Sequence, residues 1–322
     1  MRALITGVGG FAGSHLSDYL LNQTDWQVAG CVLPGWDCSR LDRRVTCIEL
    51  DLRDLQAVQA MLDQSAPEII FHLAGQASPP AAWDDPWDTL ENNIRAETNI
   101  LNGLVKLGAC PRVMAVGSGD EYGMVRPEDL PLREDSPLRP YNPYAVSKVA
   151  QDLLGLAYFL SHGLPVVRVR PFNHVGPRQS ESFVVPAFAK QIAAIEAGQQ
   201  EPVVHVGNLS ARRDFTDVRD VVRAYYLIVT RGQPGEVYNI GSGRACAIQA
   251  ILDTLLNYSR VAIRVEPDPA RMRPSDTLEI QCDTSKLYAA TGWQPTIPLE
   301  QTLRDVLDEW RAKMPPRKHR KE

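Results

Sequence analysis

No two cysteines of this chain stand in a C-x-x-C spacing. Cys31, Cys38, Cys47, Cys110, Cys246 and Cys282 are scattered through 322 residues, which argues against a metal site and against a disulfide framework. Most read as small apolar core residues. No uninterrupted apolar run is long enough to cross a bilayer. The N-terminus has no charged, apolar or cleavage segment of a leader and begins directly on a strand. A soluble, cytoplasmic protein without a membrane partner is the expectation. An excess of positive charge is missing too. Lys and Arg number 34 against 39 Asp and Glu, so nothing compensates phosphate repulsion and no nucleic-acid partner is expected. The one basic run, Arg317-Lys318-His319-Arg320-Lys321, follows Pro315-Pro316 and reads as a solvated tail over 315–322. Repeats and low-complexity linkers are also lacking.

What is present is a rhythm of strands and helices. Ala3 to Thr6 is an apolar run ending at glycines, and Phe11 to Leu21 follows with helical spacing at Phe11, Leu16, Tyr19 and Leu20. Further strands are expected over 28–33, 45–50, 69–73, 113–116 and 166–170, with a helix around Val58 to Leu62. This alternation predicts an α/β fold: a doubly wound, Rossmann-like parallel sheet. After Arg170 the pattern loosens, punctuated by Pro171, Pro177, Pro186 and Pro202. The expected organisation is a dinucleotide-binding domain over 1–170, with return segments near 210–245. A smaller α/β substrate domain would take most of 171–314, and a ligand would sit in the cleft between them.

Gly7, Gly10 and Gly13 are spaced G-x-x-G-x-x-G between the first strand and helix. The first permits a tight turn, the second lets backbone approach a pyrophosphate, and the third lets helix and strand pack closely. The helix start at Phe11-Ala12-Gly13 would then face the phosphates with free N–H groups. Asp51-Leu52, after the third strand, can hold an adenine; an ordinary strand-end aspartate capping the next helix is the competing reading. Leu73-Ala74-Gly75 is small enough to pass beneath a dinucleotide. Beyond the second strand stand Asp37, Arg40, Arg43 and Arg44. That mixture of signs leaves the cofactor as NADP or NAD.

Tyr144 and Lys148 lie one helical turn apart. A ketone that accepts hydride at carbon needs a proton at oxygen, and Tyr144 can supply it if its pKa comes down from about 10. Lys148 would favour the phenolate and bond the nicotinamide ribose. Ser118, in Val116-Gly117-Ser118-Gly119-Asp120-Glu121-Tyr122-Gly123, is placed to polarise the carbonyl from a strand end, beside Val116. Neither the glycine loop nor a Tyr-x-x-x-Lys pair is specific alone. Their conjunction points to a nicotinamide-dependent enzyme.

Together with Asn93 and His72-Leu73-Ala74, these residues resemble the extended short-chain dehydrogenase/reductase family acting on nucleotide sugars, over almost the whole chain. The resemblance implies catalytic roles for Ser118, Tyr144 and Lys148, and places Asn93 on a helix near the cofactor. Three segments look like the GDP-mannose branch: Arg170 to Pro177, Val206 to Asp220, and Met272-Arg273-Pro274-Ser275-Asp276. Within that branch the match is to enzymes that reduce GDP-4-dehydro-6-deoxy-D-mannose to GDP-D-rhamnose. Arg213 and Arg273 are expected to grip the diphosphate or ribose, and Asn173 to donate to a phosphate. Asp276 would accept from guanine or ribose, Lys190 would reach base or phosphate, and Gly119 and Val184 would line the pocket. The dehydratases of this branch use a glutamate two residues after the catalytic hydroxyl, where this chain has Asp120, followed by Glu121. A dehydratase in which Glu121 adapts is therefore one alternative. A sugar-nucleotide epimerase and a non-catalytic dinucleotide sensor are the others. The family often forms homodimers through two helices, here about 87–107 and 143–162.

Overall fold

The computed structural model describes residues 1–271 and 278–314. Arg273, Asp276 and the basic tail lie outside the described residues. In chain order, the first part consists of β1 (Arg2–Thr6), α1 (Phe11–Gln23), β2 (Gln27–Val32), β3 (Thr46–Glu49), α2 (Leu55–Ser65) and β4 (Ile69–His72). It continues with α3 (Pro79–Asp84), α4 (Pro86–Leu107), β5 (Arg112–Val116), α5 (Pro143–His162) and β6 (Val166–Pro171). Then come β7 (Asn173–Val175), α6 (Val184–Glu196), β8 (Val203–Val206), β9 (Arg212–Asp217), α7 (Val218–Arg231) and β10 (Val237–Ile240). The described chain closes with β11 (Ala245–Ala247), α8 (Ile248–Asn257), β12 (Arg264–Pro267), α9 (Ser285–Thr291) and α10 (Leu299–Lys313).

Seven strands pair in the order β10-β6-β5-β4-β1-β2-β3, every neighbour parallel. This is the doubly wound sheet that the alternation predicts. Helices cover both faces, so the central strands are continuous apolar runs rather than alternating ones. Leu16 and Leu20 of α1 pack with Val221, Tyr225 and Ile228 of α7 on one face, joined by Leu287 of α9. Val58 and Leu62 of α2 pack with Ile100, Leu101 and Leu104 of α4 on the other. The strand order reverses between β1 and β4, and the crevice beyond their C-terminal ends is where such sheets bind ligands. The glycine loop and Leu73-Ala74-Gly75 follow those two strand ends, and Ser118 follows the neighbouring end of β5.

The remaining segments form a smaller α/β unit. Strands β11, β9 and β7 make one sheet, β12 and β8 a parallel pair. Val185, Phe188 and Ile192 of α6 pack with Leu252 and Leu255 of α8 and Leu303, Val306 and Leu307 of α10. The chain crosses between the two units more than once. It leaves β9, forms α7 and β10 against the large sheet, returns to β11, and later sends α9 back to the first core. Asp217 fixes one crossing: it caps α7 through the Arg219 N–H and accepts from the Thr302 hydroxyl of α10 at 2.6 Å. Among the described residues no helix is long and apolar enough to cross a membrane.

Candidate functional site

The glycine loop is tight enough to exclude side chains. Gly7 has φ +68°, and a Cβ there would lie 2.9 Å from Ala74 Cα. At Gly13 a Cβ would meet the Gly7 carbonyl oxygen at 2.3 Å, so helix α1 packs directly on the turn. Gly10 precedes α1 without a side-chain cap, and the first turn holds no acidic residue. The opening N–H groups at Phe11, Ala12 and Gly13 are thus offered to an external anion. Phe11 is stacked on His174 at 5.7 Å. Across the crevice, the Ala74 N–H bonds the Thr6 hydroxyl at 3.1 Å. Asn93 is fully buried; its Oδ1 accepts from the Gln76 N–H at 2.7 Å and its Nδ2 donates to Gln76 O and Ser147 Oγ. It therefore ties the loop behind Leu73-Ala74-Gly75 to α4 and α5. These features fit a dinucleotide.

Asp51 does not cap α2; Asp54 takes that place, accepting from the Gln56 and Ala57 N–H groups. The Asp51 carboxylate is chelated by Arg53 at 2.7 Å, which holds it below the usual carboxylate range. Leu52 is buried, and its carbonyl accepts from Asn99 Nδ2 at 2.8 Å.

Ser118, Tyr144 and Lys148 converge. Asn142 caps α5 and Pro143 opens it, which sets Tyr144 and Lys148 on the face toward the sheet. The Lys148 ammonium donates to the Val116 carbonyl at 3.0 Å and lies 5.9 Å from the Tyr144 ring centre. The Ser118 hydroxyl accepts from the Asp120 N–H at 3.1 Å and is a hydrogen-bonding partner of Tyr144. Burial lowers the Lys148 pKa to about 8, opposed by Glu97 and Glu121. Burial also pushes the Tyr144 phenol well above 10, helped by Asp120, with Ser118 pulling the other way. Removing the phenolate from water is the largest influence on Tyr144, and it favours the neutral, proton-donating form.

Glu121 is not a free base. It is fully buried, accepts from the Ser118 N–H at 2.8 Å, and pairs with Arg170 at 2.9 Å. Arg170 also pairs with Asp152 of α5, which in turn binds Arg168 at 3.0 Å. Gly117 is required by this fold-back, since a Cβ there would lie 2.0 Å from Glu121 Oε1. The adaptation that a dehydratase would need from Glu121 is blocked by Arg170. Asp120 points elsewhere: burial raises its pKa, and the nearby Arg213 opposes that.

On the substrate side, Arg213 lies near Tyr141 and Asp120, and its Nη1 donates to the Arg212 carbonyl at 2.8 Å. Asn173 is exposed on β7, Val184 opens α6, and Gly119 packs against Phe172. Lys190 is ion-paired to Glu181 at the surface, its side chain 40% exposed, and lies over the Trp310 ring at 5.8 Å. Arg170, Asp152 and Glu97 went unread as supports of the site. Arg168 and Arg170 alternate on an apolar strand and so share one face; that was the available signal, because two buried cations on one face require buried carboxylates.

With this geometry in place, the comparisons with known proteins become informative. The family model described as GDP-mannose 4,6 dehydratase matches residues 4–306, and the chain belongs to that family. GDP-6-deoxy-D-mannose reductase of Pseudomonas aeruginosa is 36% identical over 97% of this chain and 98% of its own length. The structure of RMD from Pseudomonas aeruginosa complexed with NADPH superposes with a TM-score of 0.87 at 34% identity, covering 97% of this chain and 99% of that one. The UDP-glucose 4-epimerase of Thermus thermophilus in complex with NAD gives 0.85 at 28% identity, over 97% and 99%. These relatives are nucleotide-sugar enzymes of the dinucleotide-binding type.

Replacing Arg170 by Met should cost about 3–5 kcal/mol, because the buried Glu121 loses its ion-pair partner and Asp152 one of its two. The check is the urea midpoint of Arg170→Met, which should fall well below wild type; an unchanged midpoint would mean that the network carries no such strain.

Proposed function

We propose that this protein is an NAD(P)H-dependent reductase acting on the C4 ketone of GDP-4-dehydro-6-deoxy-D-mannose, with GDP-D-rhamnose as product. The single observation that carries the reading is the convergence of Ser118, Tyr144 and Lys148, with Glu121 bound to Arg170 and the Ser118 N–H. The 36% identical relative named as a reductase supports it, and NADPH in the superposed structure makes NADPH and NADH the pair to compare.

In this reading the bound cofactor supplies hydride to C4. Ser118 directs its O–H at O4, its own acceptor position being taken by the Asp120 N–H. Tyr144 gives its proton to O4 as negative charge develops there. Lys148, held on the Val116 carbonyl, stabilises the tyrosinate that remains. Arg213 takes the diphosphate as a bidentate donor, with Asn173, Gly119 and Val184 around it. Tyr144→Phe should lower kcat by several orders of magnitude with cofactor binding nearly intact; wild-type-like turnover would sink the assignment.

The base is read by hydrogen bonds at the ring edge, whereas Arg213 is blind to it. Leaving a buried polar group unpaired costs about 1–3 kcal/mol, so UDP and dTDP should inhibit roughly tenfold to a hundredfold less well than GDP. Equal inhibition by all three returns the chain to an unspecified sugar-nucleotide enzyme. In the same assay, GDP-mannose without reductant should give no 4-keto-6-deoxy product; its appearance would favour the dehydratase.

We also infer a homodimer through α4 and α5. Trp87 is 72% exposed and Leu160 71%, and Leu153, Ala157 and Leu160 form an exposed apolar stripe at helical spacing. Light scattering at micromolar concentration should give twice the chain mass; a monomer there counts against the interface.

A further inference from the structure

Glu97 of α4 is 2% exposed, and neither of its carboxyl oxygens has a hydrogen-bond partner. Beside it, Gln151 of α5 donates through Nε2 to His72, yet its Oε1 also lacks a partner. Buried acceptors left without a donor are costly. One proton on Glu97 satisfies both, since a neutral carboxyl donates an O–H to the amide oxygen. The Gln151 side chain neighbours this carboxyl and favours its ionised form, against the larger opposing effect of burial. The groups facing Glu97 are few. From α5 come Lys148 and Asp152, and from the turn after β5 comes Glu121. Asp152 and Glu121 are already bound to Arg168 and Arg170. His72, at the end of β4, bonds Thr6 at 2.8 Å and is held neutral by burial, its pKa lowered to about 3. Lys148 is thus a buried cation whose nearby carboxyl without an ion-pair partner is Glu97.

We propose that Glu97 is a positioning residue for Lys148: it carries a proton shared with Gln151 at neutral pH and, on releasing it to solvent in alkali, leaves a carboxylate that keeps the lysine cationic. The release breaks only the Glu97 O–H bond; the electron pair stays on the carboxylate. The sign is consistent with the electrostatics. Burial raises Glu97 to about 8, level with Lys148, and each of the two charges favours the other. The two groups titrate as a coupled pair, in which a carboxylate on Glu97 favours the ammonium form of Lys148. The kinetic part rests on the reductase reading; the charge state of Glu97 does not.

Glu97→Gln is the test, because the amide can still donate to Gln151 Oε1. One arm uses the ligand-free protein and measures thermal unfolding from pH 5 to 9. A carboxyl with a raised folded pKa stabilises below its unfolded value of about 4.5 and loses that stabilisation as pH rises towards 8. Wild type should therefore lose stability relative to Glu97→Gln across this window; parallel curves overturn the protonated carboxyl. The second arm follows kcat with saturating NADPH and sugar nucleotide against pH. The alkaline fall in Glu97→Gln should move at least half a pH unit to lower pH, because Lys148 loses its counter-charge. A uniform drop with an unmoved profile overturns the effect on Lys148. Wild type inactive on the 4-keto sugar would be a failure of the reductase reading. In that case the Lys148 resonance, titrated by NMR in wild type and Glu97→Gln and assigned through Lys148→Met, decides the proposal: equal pKa values overturn it.

Discussion

The site depends on one buried guanidinium. Arg170 on β6 holds Glu121, from the turn after β5, and Asp152, on α5 one helical turn beyond Lys148. Those three elements are the ones that must agree for a serine, a tyrosine and a lysine to meet. Glu121 reaches back to the Ser118 N–H, so the turn that aims the hydroxyl is clamped to the strand beneath it. Asp152 fixes the rotation of α5, which decides where Tyr144 and Lys148 point. A buried ion-pair network is rarely the most stable way to fill space, since desolvation consumes much of the attraction. What it supplies here is direction: charge-assisted bonds have narrow angular tolerance, whereas apolar packing would let the turn slide.

Behind that clamp, Tyr144, Lys148 and Glu97 are buried, and burial acts on each group in the same way. It favours the neutral form of Tyr144, Asp120 and Glu97, and the neutral form of Lys148 as well. A reaction that consumes a phenolic proton is well served by such an environment. The uncharged phenol is the form burial favours, and negative charge appears at the substrate oxygen only when the adjacent carbon receives hydride. A cation held on a carbonyl beside the ring then has its greatest effect, because in a low-dielectric pocket a newly formed charge is stabilised most strongly by a charge already in place.

Much of this was legible in the sequence wherever the physical cause is local. The glycine spacing reports a turn that no Cβ can enter, and Gly7 and Gly13 meet neighbours where expected. The apolar runs reported strands covered on both faces, and their alternation with helices reported the doubly wound parallel sheet, though not its strand order. Tyr144 and Lys148 share a helix face by geometry alone. What the sequence left unread involves partners it does not pair in advance: Lys190 with Glu181 and the Trp310 ring, and Arg170 with Glu121 and Asp152. The direction of the Tyr144 shift depends on how thoroughly α5 is covered, a tertiary property with no local signature.

The same distinction separates reduction from dehydration. Counting from Ser118, a chain that removes a proton from sugar C5 needs a carboxylate that is long enough and free. This sequence places an aspartate two residues on and a glutamate three residues on, and sequence alone leaves the glutamate available. The fold does not. A turn this short sends positions 120 and 121 in different directions, one toward Arg213 and Tyr144 and the other beneath Gly117 onto Arg170. The longer carboxylate is thus consumed in holding the serine, and the shorter one, within the cleft, lacks the methylene that would carry it to C5. Chemistry that begins with a ketone needs neither carboxylate as a base, only the phenol, the hydroxyl and the lysine that the clamped turn and helix bring together.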